Sequence, residues 1–187
     1  MLEGMRIAFL IANEGVEQVE LEEPWKAVSE AGADPVLLSP KSGIAQAFNH
    51  LDKGDAFPVD QPVREADPGT FGALVLPGGV ANPDQLRTDR AAVGFVQSFF
   101  DDGKPVAVIC HGPWTLIEAG VLERRTLTSW PSLQTDIRNA GGIWVDEEVA
   151  VCTYGPNTLV SSRRPDDLPA FCAALVDRFG RVDSGVR

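Results

Sequence analysis

The feature that most limits how this chain can fold is a set of short, nearly continuous apolar runs separated by longer stretches of helical periodicity. Met5–Ala12 (MRIAFLIA), Phe71–Leu76 (FGALVL) and Lys104–Ile109 (KPVAVI) show no apolar/polar alternation. A strand with one face in water alternates at every second residue, whereas a strand of a parallel sheet is covered on both faces and reads as continuous. Val36–Ser39 reads as a further strand, and Trp144–Val151 and Thr158–Ser162 as late ones. Helical patterns fill the intervals. The first runs from about Val19 to Gly32 and contains Pro24, which kinks the helix or lies near its start. Arg90–Gly103 sets Ala92, Val96, Phe99 and Phe100 on one face and stops at a glycine. His111–Gly120 reads as an apolar helix and Leu133–Ala140 as a polar one closed by Gly141-Gly142. The last helix carries a core-facing stripe of Leu168, Phe171, Cys172, Leu175 and Phe179. Lys41–Pro68 is rich in glycine and proline, which predicts a small hairpin excursion. The expected fold class is α/β, a flavodoxin-like three-layer sandwich with a mostly parallel sheet and a nucleophile elbow.

At 187 residues the chain suits one domain, spanning 1–187, and buries roughly 70% of its unfolded surface without disulfide or metal staples. Apolar residues make up 44% and charged residues 23%, values that exclude a disordered or collagen-like chain. No apolar stretch reaches the ~20 residues of a membrane span, and no secretory leader is expected at Ile7–Ala12. A formal net charge of −11 argues against nucleic acid and anionic membranes as partners, since phosphate binding requires cations to displace counterions. Three cysteines at irregular spacing read as reduced thiols, which points to the cytoplasm.

In parallel α/β folds chemistry gathers at the carboxyl ends of the strands. Three features fall there: Asn13-Glu14 to Glu17, Pro77-Gly78-Gly79, and Cys110-His111-Gly112-Pro113. Cys110 follows a buried strand and precedes a Gly-Pro helix start, the layout of a nucleophile elbow. A thiol facing a helix N-terminus is expected to favour thiolate, and the alternative is a small apolar residue at a strand end. Gly78 and Gly79 allow close approach of backbone N–H groups, which with the His111 N–H suit a developing oxyanion. Glu14–Glu23 holds five glutamates. Glu20, Glu22 and Glu23 read as a solvated helix face, and Glu17, with Glu14 second, as a carboxyl group that points into the site. Beside a thiolate such a group is useful only when protonated. Of the two histidines, His111 adjoins the nucleophile and His50 lies in the excursion, either on the surface or in a pocket. Trp114, Trp130 and the His50 loop supply candidate pocket walls. Cys152 and Cys172 read as structural. No metal-ligand spacing, phosphate loop or dinucleotide fingerprint occurs, so no cofactor and no metal are expected.

These motifs together resemble the ThiJ/PfpI family, within the class I glutamine amidotransferase-like superfamily, over about residues 5–180. The resemblance rests on Ala12-Asn13-Glu14 with Glu17-Gln18-Val19-Glu20-Leu21, on Ala73–Gly79, and on Asn82-Pro83-Asp84. It extends through Ala107–Pro113 and Thr128-Ser129-Trp130-Pro131. Phe48–Asp60 and Asp136–Gly142 are similar to the bacterial stress-protein branch. The resemblance implies Cys110 as nucleophile and Glu17 as the sulfur-contacting glutamate. It also implies Asp84 as the acid that orients His111 across a subunit interface, hence a homodimer or hexamer. The glutamine amidotransferases need a late histidine, and none follows His111.

The resemblance makes a stress-protective cysteine enzyme the first expectation, a glyoxalase or deglycase acting on 2-oxoaldehydes such as methylglyoxal or on their early protein adducts. The partner is then a small carbonyl compound or a glycated or unfolded protein. A PfpI-like peptidase using Cys110, His111 and Asp84 is one alternative. A redox sensor or chaperone with an oxidisable Cys110 is another.

Overall fold

The computed structural model describes residues 1–181. In chain order the strands and helices open with β1 (Arg6–Leu10), β2 (Glu14–Glu17), α1 (Gln18–Glu30), β3 (Asp34–Ser39), β4 (Ile44–Asn49), β5 (Asp52–Pro58) and β6 (Gln61–Pro62). They continue with β7 (Ala73–Leu76), α2 (Ala81–Leu86), α3 (Arg90–Asp101), β8 (Val106–Ile109), α4 (Pro113–Glu118), β9 (Thr126–Leu127) and α5 (Gln134–Asn139). The last are β10 (Ile143–Trp144), β11 (Ala150–Cys152), β12 (Leu159–Ser162) and α6 (Leu168–Gly180).

Seven strands form the central sheet in the order β11-β12-β8-β7-β1-β3-β6. Every pairing in it is parallel except β11 with β12. The physical reason for continuous apolar strands is visible in how their residues divide between two cores. Ala8 and Leu10 of β1, Leu74 and Leu76 of β7, and Val106 and Val108 of β8 enter one core, together with Phe95, Phe99 and Phe100 of α3. Their alternate neighbours, Ile7, Phe9, Ala73, Val75, Ala107 and Ile109, enter the other with Leu21 and Val28 of α1 and Phe171, Leu175 and Phe179 of α6. Successive strand residues point to opposite faces, so a strand between two helical layers must be apolar throughout. The flavodoxin-like sandwich expected from the sequence is the observed fold. No helix among the described residues is long and apolar enough to cross a membrane.

Three segments depart from expectation. The excursion does contain a hairpin, β4 antiparallel to β5, but β2 joins it as a third strand. Glu14–Glu17, expected as the junction between the first strand and the first helix, is thus itself a strand, which puts the first acidic residues on a small separate sheet. Trp144–Val151 divides into β10 and β11, with β10 paired to β9 instead of the central sheet. α2 follows the Gly-Gly turn, where Asn82-Pro83 hides a helical pattern. Its Asn82 is buried: Oδ1 accepts the Ala12 N–H at 2.7 Å, and Nδ2 donates to the Pro77 and Gly78 carbonyls at 3.0 Å. That one side chain ties the end of β1 to the turn after β7. Pro24 lies within α1, which runs on through it.

Phe99 is sealed in the α3 core, its ring 5.2 Å from that of Phe95 and 5.4 Å from the Lys104 ammonium. Truncating it leaves a cavity that rigid strands cannot close. Phe99→Ala is expected to lose about 3–5 kcal/mol in urea unfolding with an unchanged m-value. A loss below about 1 kcal/mol would show that this core is not close-packed as described.

Candidate active site

Cys110 sits between the end of β8 and the start of α4 with φ at 62°, in the left-handed region that non-glycine residues seldom occupy. Such a conformation persists only when its surroundings enforce it. Here the Cys110 N–H donates to the Ser162 carbonyl at 3.1 Å, and the Cys110 carbonyl accepts from the Trp130 N–H at 2.9 Å. β12 and the 128–130 segment therefore clamp both sides of the residue. A Cβ at position 112 would stand 2.7 Å from Val108 Cγ2 and 2.9 Å from the Leu76 carbonyl oxygen, so only glycine lets α4 begin this close to the sheet. This is the strand-to-helix elbow expected from Cys110-His111-Gly112-Pro113.

The thiol opens on a cavity of about 560 Å³, and Cys110 itself is only 5% exposed. His111 Nδ1 lies 3.1 Å from Sγ, so adjacent side chains do meet on this elbow. The backbone N–H groups of Gly79 and His111 act on the sulfur in favour of its ionised form. Burial pushes the thiol well above its ordinary pKa, and the neighbouring carboxyl group of Glu20 adds to the rise, while the two N–H groups oppose it. On the resting thiolate expected from the sequence these contributions pull in opposite directions, burial against it and the two N–H groups for it.

The acid beside the sulfur is Glu20, not Glu17. Glu20 is fully buried beside Cys110, and its Oε2 accepts the Gly78 N–H at 2.8 Å. Burial raises its pKa to about 8, so it is protonated at neutral pH. Oε1 has no nitrogen or oxygen partner among the described residues, which leaves it as the atom to carry the proton. The assignment of Glu20 to a solvated face fails because α1 begins at Gln18, and its buried side is Glu20, Leu21, Pro24 and Val28. That stripe was readable at spacings of three and four. The required protonation, expected for Glu17, holds for Glu20.

Glu17 lies on the cavity wall above the sulfur. It accepts the His50 N–H at 3.0 Å to Oε2 and 3.4 Å to Oε1, with His50 Nδ1 3.9 Å away. Glu14 and His50 line the same cavity toward its mouth, where the His50 side chain is largely exposed. Gly79 borders the cavity, but the Gly78 N–H is occupied by Glu20, so of the expected oxyanion donors Gly78 is already engaged and the Gly79 and His111 N–H groups remain as candidates. A Cβ on Gly78 would strike the Glu20 carboxyl group and approach Cys110 Cβ to 2.6 Å. Trp130 lines the cavity and stacks on the His111 ring at 5.6 Å. Trp114 does not line it. Its ring meets the edge of His111 at 5.2 Å from behind, with Nε1 donating to Asp136 at 2.9 Å. Asp84 is on α2, half exposed and paired with Arg87 at 2.9 Å, so within one chain it makes no contact with His111. Burial lowers the His111 pKa to about 4, leaving a neutral ring able to accept a proton from sulfur.

The DJ-1/PfpI family model matches residues 5–178. The chain is 42% identical to Deglycase PfpI of Pyrococcus furiosus over 92% of this chain and 98% of that protein. It is 41% identical to General stress protein 18 of Bacillus subtilis, over 90% and 94% of the two chains. A two-domain protein of Anabaena variabilis, with DJ-1/ThiJ/PfpI-like and ferritin-like domains, superposes with a TM-score of 0.85 at 32% identity. That match covers 94% of this chain and 48% of the larger one.

The buried pair has a thermodynamic consequence. Glu20 keeps its proton to about pH 8 when folded and releases it near 4.5 when unfolded, so it lowers stability as pH rises through that window. His111, neutral above about 4 when folded but charged below 6.5 when unfolded, raises stability over its own window and opposes Glu20 up to pH 6.5. The net loss is then confined to pH 6.5–8 and amounts to about 2 kcal/mol. Urea unfolding across this range is expected to show the decline in the native chain and a flat profile in Glu20→Gln. An equal decline in the variant would mean that Glu20 is ionised.

Proposed function

The chain belongs to the DJ-1/PfpI family, and we propose that it is a cysteine-dependent deglycase that removes 2-oxoaldehyde adducts from amino and guanidino groups. The observation that carries this reading is the Cys110 sulfur 3.1 Å from His111 Nδ1, beside a fully buried carboxyl group, on a cavity open to solvent. The relatives named as deglycases support it.

On this reading Cys110 sulfur attacks the carbinol carbon of an adduct of the form R–NH–CH(OH)–CO–CH₃. The C–S bond forms, the C–N bond breaks, and the thiol proton passes through His111 Nδ1 to the departing amine. The enzyme is left as a hemithioacetal. His111 then takes the proton from the sulfur-bearing carbon and returns it to the neighbouring carbonyl carbon, while the Gly79 and His111 N–H groups hold the enediolate oxygen. The product is a lactoyl thioester, which water cleaves to lactate and free thiol. Free methylglyoxal enters the same sequence by addition of sulfur to its aldehyde. Glu20 donates its proton toward the sulfur and so disperses charge without becoming an anion beside it.

A peptidase reading needs Asp84 from a second subunit. Its position on exposed α2 is compatible with a homodimer or hexamer, the assembly proposed here, and the Arg87 pair must open for it to serve.

Cys110→Ser is expected to abolish lactate release from methylglyoxal-treated N-acetylarginine and from free methylglyoxal. Cys152→Ser and Cys172→Ser are expected to retain it. Undiminished release by Cys110→Ser removes the proposal, and casein hydrolysis lost on Asp84→Asn, without adduct turnover, would favour the peptidase.

A further inference from the structure

We infer that the cavity selects adducts carried on a guanidinium group, with Glu17 as the carboxylate that receives it; this deepens the deglycase reading and rests on it. The wall of the cavity is acidic at three depths. Glu14 stands toward the mouth, Glu17 midway and protonated Glu20 at the floor. Among the described residues no lysine or arginine lines it. Glu17 is 9% exposed, yet its carboxylate receives only the His50 N–H, at 3.0 and 3.4 Å to its two oxygens, with the exposed His50 ring 3.9 Å off. A carboxylate offers about four acceptor positions, so a nearly buried one with a single donor remains under-satisfied. Its remaining acceptor positions, on the cavity wall, meet no donor among the described residues.

The chemistry of the adduct decides among possible carriers. On a cysteine the adduct is a neutral thioether carbinol with no N–H to offer. On a lysine the only nitrogen is the one whose C–N bond must break at the sulfur. A guanidinium has three nitrogens. One bears the adduct, and the other two keep parallel N–H donors matched to a carboxylate. With the carbinol carbon at Cys110, Glu17 on the wall of the same cavity offers that carboxylate. Phe48 and Trp130 add flat aromatic faces to the cavity, on which a guanidinium stacks more favourably than an ammonium.

The test has one arm that needs no turnover. In a Cys152→Ser/Cys172→Ser chain, Cys110 is modified by methanethiosulfonates carrying a trimethylammonium, a neutral methyl or a sulfonate group, followed by intact mass. The cationic reagent is expected to outpace the anionic one by about tenfold or more at low salt, with the gap narrowing at high salt and in Glu17→Gln. N-acetylarginine amide is expected to protect Cys110 from the neutral reagent. In the second arm, kcat/KM is measured for methylglyoxal adducts of N-acetylarginine and N-acetylcysteine. The arginine-to-cysteine ratio is expected to exceed one and to fall about tenfold in Glu17→Gln, chiefly through KM, since glutamine keeps an acceptor for the His50 N–H but not the charge. Equal rates for the three reagents, or a ratio unchanged by Glu17→Gln, overturns the inference. Charge preference and arginine protection with no adduct released leave guanidinium recognition supported and overturn the deglycase reading instead.

Discussion

A carboxyl group and a thiol buried side by side, with no lysine or arginine lining their cavity among the described residues, cannot both give up their protons, and the rest of the site is arranged around that fact. Removing an ionised carboxylate from water costs several kcal/mol unless a partner charge compensates. Glu20 has none: its Oε2 receives a single backbone N–H, from Gly78. It stays protonated to about pH 8, and burial likewise disfavours ionisation of the sulfur beside it. The group placed to accept the proton of the sulfur is the His111 ring, whose own charge burial suppresses.

The sheet makes this arrangement possible by bringing three strand ends to one point. β1 leads into β2 and α1, which deliver Glu20. β7 delivers Gly78 and Gly79, and β8 delivers Cys110. Each close approach has its own enforcement. Gly78 leaves room for the acid, Asn82 fixes the turn that carries Gly78, and the Ser162 and Trp130 backbone groups hold Cys110 in its strained conformation. Trp130 and Trp114 then fix the imidazole, one against its face and one at its edge. Positional precision at the sulfur therefore rests on elements from most of the chain rather than on one motif.

The two-faced burial of the strands was legible from Ile7, Phe9, Leu74, Val75, Val106 and Ala107, because a period-two geometry between two helical layers leaves one solution. The elbow was legible from Cys110 to Pro113, since few arrangements place glycine and proline so soon after a buried strand. Glu20 was not read, although Leu21, Pro24 and Val28 shared its stripe, because a glutamate among glutamates is taken as solvated until tertiary packing removes the water. β2 escaped for a related reason: four residues carry too little period to distinguish a strand from a helix entrance. Asp84 followed the resemblance, whereas its spacing to Arg87 already allowed the pair that the fold forms.

An acidic wall and a neutral sulfur fit one another for a single reason. A permanent thiolate beneath Glu17 and Glu14 would be repelled by every carboxylate around it and would need a buried cation to persist. With the proton left on sulfur, the acidic wall costs the resting site little and is free to act on what enters. If a cationic carrier occupies Glu17, the same field that disfavoured the thiolate is weakened at the moment the sulfur must become nucleophilic. The substrate then lowers the barrier to its own attack, and His111 needs only to hold the proton for the interval between sulfur and leaving nitrogen. Read this way, the charge of the cavity and the protonation of its nucleophile are one design, and a neutral carrier forfeits both the docking contact and the relief of repulsion.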